Sequence, residues 1–584
     1  MGLAERITAQ QRRVAELEAE LWADGLVESV AEPYQAAFRE LEDLIALRGP
    51  DRRHRFVVVI PVADSPQHLA ACLDSLLTQC RTFAYGGVEQ GCYRKVTVLL
   101  ADDSADPDRV RQNRGLARRF EHAGIRIDYF GIDEQLALLR RLPAEGLGGI
   151  VGEHPLDAFA HKGQAMMRNI AYLRLAEMRA RIQRESPGER LLFYTIDADQ
   201  TFQVKVETPD GGRSLHVLNY FYWLDRLFDD GAVQVVTGKV VGDPPVSPAV
   251  MAGNFLEDVL AFLGSIRDSD PDAAYRQPSA GPHGPGEAAY HDMPELFGFA
   301  GESDACHYRC RVPGTPSNTE CFIEFAQHLN SFLHGEHPTR VTWFRYQSVP
   351  ESVQPARTVY TGNYVFNGDA LRWFIPFAPL RLRMSGPTLG RMLRAELGAG
   401  FASANLPMLH GRTLARTRVS EFRPGVVSEQ SRIDLSDEMQ RQFYGDVMLF
   451  SIERLSAAGY PGRSLGRRQV ADILDAVHAE LSDKYRARRA LISARLDELR
   501  AVLHGPAQWW NRTPALDGAL KDFAAFVENI QHNFASGSSG PAPVDASRAW
   551  PAWRERQLDA IVGLSADRQA WCRALAILQR ADKA

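Results

Sequence analysis

The sequence predicts an α/β protein, a mostly parallel sheet wrapped by helices, with further helices at both ends. Between residues 56 and 241, apolar runs of strand length alternate with segments of helical period, the order that builds right-handed parallel sheets. Outside 51–424 the pattern is helical. Val14, Leu17 and Leu21, then Phe38, Leu41 and Ile45, precede that region; Ile492, Leu496, Leu499 and Leu503 follow it. A third observation points to function: two strands end in aspartates, and ligands of open α/β sheets bind beyond the carboxyl ends of the strands.

Taken in order, Phe56-Val57-Val58-Val59-Ile60-Pro61-Val62 reads as the first buried strand. Pro61 is expected to end its pairing and open a turn with Asp64 and Ser65. Leu69, Cys72, Leu73, Leu76 and Leu77 follow at helical spacing. A second strand, Val96–Leu100, ends in Ala101-Asp102-Asp103-Ser104, and a third is expected at 125–130. A Gly-rich loop at 146–152 leads to His161-Lys162-Gly163 and a helix that carries Arg168-Asn169. Near a helix start, Lys162 and Arg168 can meet a phosphate through charge and through exposed backbone N–H groups.

The run Leu191–Ile196 then delivers Asp197 and Asp199 to the end of its strand. Carboxylate oxygens are the hard ligands that Mg²⁺ or Mn²⁺ prefers. Residues i and i+2 share a face, so both acids reach one ion if the strand extends that far. A hairpin around 209–212, a helix over 219–229 and a strand over 233–241 continue the alternation. Gly, Pro, His, Asp and Ser dominate from 265 to 318, an irregular insertion of the length typical of lids and binding loops. A loop, short strand and turn are expected over 361–375, a helix after Arg383–Arg391, and a closing segment at Leu406–Thr413. Three parts result: an N-terminal helical segment 1–50, the α/β domain 51–424, and a C-terminal helical region 425–584.

Composition sets the bounds. Of 584 residues, 45% are hydrophobic and 24% charged, as in soluble globular proteins. A net charge of −6 gives no global attraction for nucleic acid. No apolar run approaches the ~20 residues of a membrane helix, and Met1–Arg6 has no signal core. Seven cysteines, few and odd in number, suit a reducing compartment, so a cytoplasmic protein is expected. Cys306, Cys310 and Cys321 with His291, His307 and His328 offer zinc-ligand chemistry, but their spacing is not a paired-thiolate pattern. Reduced cysteines within an insertion is the preferred reading.

The order of these features resembles the glycosyltransferases of the GT-A fold, of the family-two type, over residues 56–415. Four matches carry it: the strand and turn Val57–Asp64; Asp102-Asp103-Xaa-type acids in Leu99–Ser104; Lys162-Gly163 through Arg168-Asn169; and Asp197-Ala198-Asp199. The resemblance implies a GT-A, Rossmann-like domain that binds a nucleotide-diphosphate sugar through Pro61, Asp64, Asp103, Lys162, Arg168 and Asp197. Asp103 would meet the base, and Lys162 or Arg168 the phosphates. It implies a divalent cation, Mn²⁺ or Mg²⁺, on Asp197 and Asp199, with His410 completing the shell. One departure stands out. Inverting members carry an acid where this chain has Ser385-Gly386-Pro387-Thr388, and neither Asp369 nor Glu396 is a convincing replacement. A base from elsewhere, a retaining reaction and lost activity all stay open, as does the acceptor.

Two rivals differ from this reading. A nucleotidylyltransferase would show a Gly-rich, basic loop after the first strand, where Pro61-Val62-Ala63-Asp64 stands. A pseudoenzyme or assembly protein, with homo-oligomer contacts through its helical ends, fits the missing acid better than the intact Asp197/Asp199 pair.

Overall fold

A computed structural model describes residues 2–143, 146–153, 159–208, 212–276, 308–412, 426–429, 432–535, 538 and 549–580. The turn at 209–211 and the side chains of His291, Cys306 and His307 lie outside these residues. After α1 (Leu3–Leu21) and α2 (Ala31–Leu47), the chain forms β1 (Arg55–Val62), α3 (Pro66–Phe83), β2 (Val96–Asp102), α4 (Pro107–His122) and β3 (Arg126–Phe130). Helix α5 (Ile132–Arg140) and the long α6 (Gln164–Glu185) lead to β4 (Leu191–Ile196). Then come α7 (Tyr220–Leu227), β5 (Val235–Gly242), α8 (Pro248–Ile266), α9 (Asn318–His328), β6 (Asn363–Asn367), α10 (Ser385–Leu397) and β7 (Phe401–His410). Four helices end it: α11 (Ser436–Ala457), α12 (Arg467–Leu503), α13 (Asp517–Phe534) and α14 (Trp550–Arg580).

The main sheet runs β3-β2-β1-β4-β6-β5-β7, extended by two short strands at Gln200–Thr201 and Gln354–Pro355 that both pair with β7. All long strands are parallel except β6, which is antiparallel to β4 and β5 (Val365 opposite Tyr194 and Val236). The architecture is therefore mixed α/β. Pro61 does not end the pairing of β1 as expected. The ladder to β4 stops at Val59, short of the missing N–H, whereas β2 stays in register through Val62 opposite Asp102.

Both faces of β1 are buried, as parallel strands between helical layers must be. Val57 and Val59 face α6, α11, α12 and α14; Phe56, Val58 and Ile60 face α1, α2, α3 and α7. The N-terminal helices thus belong to the body, with Tyr34, Phe38 and Phe83 stacked edge to face between α2 and α3. The core also runs unbroken past residue 425, because Phe443, Val447 and Trp571 share a cluster with β1. A third cluster joins α8, α9 and α13 to the end of α12.

Helix α8 corrects the expectation of no membrane-length apolar segment. Its 19 residues, with a mean hydropathy of 1.4, are long and apolar enough to cross a membrane, and 67% of that window is buried inside the protein. Its apolar residues pack with those of α9, α12 and α13 in one cluster, and Ala261, Gly264 and Ser265 are exposed. Between Thr237 and Lys239 the β5–β7 register shifts. Asn363 fills that bulge, donating from Nδ2 to the carbonyls of Lys239 (2.8 Å) and Leu406 (2.7 Å). This fixes the register that brings His410 opposite Gly242.

Candidate active site at the carboxyl edge of the sheet

The chain moves outward from β1 to β2 and β3, then returns to β4 on the other side of β1. Strand order reverses between β1 and β4, and at such a switch point the loops diverge and leave a crevice. Around it gather Asp64 after β1, Asp102 and Asp103 at the end of β2, and Asp197 and Asp199 after β4.

The two acids of β2 do different work. Asp102 is turned inward and accepts hydrogen bonds from the Ser104 N–H (3.0 Å), Asn113 Nδ2 (3.0 Å) and Tyr129 Oη (2.6 Å). It organises the turn. Asp103 forms an ion pair with Lys162, whose side chain is fully buried and whose Nζ also donates to the Phe159 carbonyl at 2.7 Å. Burial raises the Asp103 pKa and lowers that of Lys162, and their mutual attraction opposes both shifts. Asp64 sits in the left-handed region at φ 52°, as does His161. Their side chains meet at 2.6 Å, while Asp64 Oδ1 accepts from the N–H groups of Ala105 and Asp106, both 3.1 Å. Together these contacts tie the β1, β2 and pre-α6 loops into one wall.

At β4 the strand stops at Ile196, so Asp197–Asp199 is a turn and the two carboxylates do not share a face as expected. Asp197 pairs with Arg168, which is fully buried on α6 and whose Nε reaches Thr195 Oγ1 at 3.3 Å. Arg168 Nη1 is buried without a hydrogen-bond partner. Gly362 packs against the same carboxylate: a Cβ there would lie 2.5 Å from Asp197 Oδ2. Thus neither basic residue of the Lys162–Arg168 segment projects freely into the crevice. Each is committed to one of the two acidic turns.

Asp199 turns the other way. Its Oδ2 lies 2.9 Å from His410 Nε2 and 3.6 Å from Arg412 Nη1. The other ring nitrogen of His410 is 2.6 Å from the Asp243 carbonyl. Both partners accept, so Nδ1–H points to the carbonyl and Nε2–H to the Asp199 carboxylate, and the carbonyl fixes the ring orientation. Burial works against a charge on His410, yet the Asp199 carboxylate outweighs it and the pKa is raised. His68, at the start of α3, is buried against the same group; burial lowers its pKa while Asp199 opposes. Asp243, His68 and Arg412 escaped the sequence reading because only tertiary pairing brings them to this edge.

Among the described residues no three His, Cys, Asp or Glu side chains converge as a ready metal cage. This covers Cys310, Cys321 and His328 as well as the crevice; the six described cysteines are free thiols. Mg²⁺ and Mn²⁺ need no such cage, since one or two protein carboxylates plus waters and phosphate oxygens satisfy them. Asp199 and His410 fit that requirement, and Asp197 is turned to Arg168.

Ser385–Thr388 forms the first turn of α10. It lies beside the crevice, because a Cβ on Gly386 would strike the Val359 carbonyl (2.6 Å) and Thr361 Cγ2 (2.8 Å), next to Gly362. No carboxylate comes from this turn. Asp369 follows β6, whose reversed direction puts it at the opposite, amino edge, with Arg179 at 3.1 Å. Glu396 is held by Arg568 (2.6 Å) and Trp373 Nε1 (3.0 Å).

No protein-family model and no curated protein matches the chain. Among solved structures it is similar to the mannosyltransferase PcManGT from Pyrobaculum calidifontis in complex with GDP-Man and Mn²⁺. That alignment has 11% identity, covers 98% of this chain and 100% of that one, and has a TM-score of 0.28.

Proposed function

We propose that the chain is a metal-dependent glycosyltransferase of the GT-A type, moving a sugar from a nucleotide-diphosphate donor to an acceptor. The observation that carries the reading is the Asp199–His410–Asp243 chain at the strand-order switch point, on the edge where Asp103 and Asp197 also gather. In this reading Asp103 accepts from the base, with Lys162 holding its carboxylate and Asp64 shaping the wall beside it. Arg168 holds the Asp197 carboxylate in place from beneath the edge. Asp199 and His410 hold the cation, which when bound neutralises charge on the departing diphosphate. Asp243 keeps the His410 ring oriented, and Arg412 adds positive charge beside Asp199.

A second reading, a nucleotide-sugar-binding pseudoenzyme or assembly protein, is favoured by one observation: the first turn of α10 offers no carboxylate beside the crevice. The two separate on one variant. Asp199→Ala should abolish metal-dependent donor turnover, assayed as release of the nucleoside diphosphate, while circular dichroism stays unchanged. Undiminished release in that variant sinks the cation assignment, and absence of release from the wild type favours the pseudoenzyme.

A further inference from the structure

A second polar cavity lies at the amino edge of the sheet, across the molecule from the switch point. Its floor is the face of β1, β2 and β3 that α6 only partly covers. Arg55 opens β1, Arg126 opens β3, and Thr97 of β2 stands between them, opposite Val57 on one side and Arg126 on the other. Arg174 and Arg181 of α6 form the wall of this space of ≈ 540 Å³, which is open to solvent.

Charge in this cavity is unbalanced. Arg174 is satisfied by both oxygens of Asp128 (3.1 and 2.9 Å), and Arg181 shares that carboxylate at 3.8 Å. Arg55 has only the Thr97 hydroxyl, 2.9 Å from its Nη2, and its Nε is buried with no partner. Among the described residues, neither Arg55 nor Arg126 has a carboxylate within ion-pair distance. Glu121 and Glu185 line the rim without closing on either guanidinium. Burial lowers the Arg55 pKa and Arg126 lowers it further, while the Glu189 and Glu185 carboxylates oppose from beyond ion-pair distance.

We propose that this cavity is a binding site for a phosphomonoester or free phosphate dianion, held between the forks of Arg55 and Arg126. Two guanidiniums that face one space suit a tetrahedral dianion, which accepts paired N–H bonds from each. The site is separate from the donor crevice, and its failure would leave the proposed transfer reaction untouched.

The test is titration calorimetry of the full chain with inorganic phosphate and with methyl phosphate, against chloride at matched ionic strength. Both ligands should bind the wild type if the site takes the dianion itself. Binding of methyl phosphate alone would assign it to phosphomonoesters. Arg126→Gln should weaken binding at least about tenfold, and Arg126→Lys, which keeps the charge but loses the fork, should fall between. Should Arg126→Gln unfold, the Lys variant decides. Affinity unchanged in these variants, or no binding of either ligand to the wild type, overturns the proposal.

Discussion

Between the carboxyl edge of the sheet and the helical layer over α11, buried aspartates differ in their partners. At the carboxyl edge of the sheet Asp103 pairs with Lys162, the mostly buried Asp197 with Arg168, and Asp199 with His410 and Arg412, while Asp102 beside them has only neutral donors. In the helical layer Asp446 of α11 has neutral ones, Tyr485 Oη at 2.5 Å and Gln442 Nε2 at 2.8 Å. Burial there pushes its pKa up to about 7, against the smaller effect of those hydrogen bonds. The difference lies in what opposes burial: beside Asp103 the Lys162 ammonium works against the upward shift that burial imposes, whereas Asp446 has uncharged hydrogen-bond donors against it.

The largest expected effect comes from removing a cation at the edge. Arg168→Ala leaves the mostly buried Asp197 beside Gly362 without its ion-pair partner, and should cost about 3–5 kcal/mol in urea unfolding at neutral pH. Asp446→Asn, which imitates the protonated acid, should cost much less below neutrality; equal losses would erase the distinction between the regions. Gly362→Ala comes next. Its Cβ would sit 2.5 Å from Asp197 Oδ2 and 3.0 Å from Gln200 Oε1, so a loss of about 1–3 kcal/mol is expected, together with weaker donor binding. Stability intact in that variant would mean that the turn after β4 is looser than its packing suggests.

The smallest effect is a slope. The folded-state pKa of Asp446 lies above its ordinary 3.8, so the native chain holds a proton that the unfolded chain has released. Its contribution is full below 3.8 and is lost as pH rises toward about 7. Stability of the wild type relative to Asp446→Asn should therefore decline across that window, measured by denaturation at several pH values. A rising difference would show that Asp446 is ionised and paired, like the acids of the edge.

Much of the sheet was legible in the sequence because its strands are buried on both faces and read as continuous apolar runs. The β1, β2, β3, β4 and β5 runs fall where the pattern put them, within a residue or two. The reversal of β6 was not legible, since Asn363–Asn367 reads the same in either direction and only its neighbours fix its sense. Helix α8 was not identified at all; apolar residues cover most of its circumference, and its narrow stripe of half-buried Glu257 and exposed Ala261, Gly264 and Ser265 carries only two polar side chains. At the site, residue types and strand ends were readable from local pattern, but partners were not. Lys162 and Arg168 looked like phosphate ligands waiting at a helix start, and each proves to be tied to an acid far along the chain. The pairing of Asp199 with His410 spans 211 residues, and nothing local announces Asp243 or His68 beside them.

The most direct test of the central claim is the melting temperature with nucleoside diphosphates and nucleotide sugars, each with and without Mn²⁺, for the wild type and Asp199→Ala. A ligand that binds only the native state at a hundred times its Kd adds about 2.7 kcal/mol of stability. One nucleotide should raise the wild-type melting temperature only when Mn²⁺ is present, and the Asp199→Ala protein should lose that shift. No shift with any nucleotide, or the same shift in both proteins, would contradict a metal-dependent donor site at this edge.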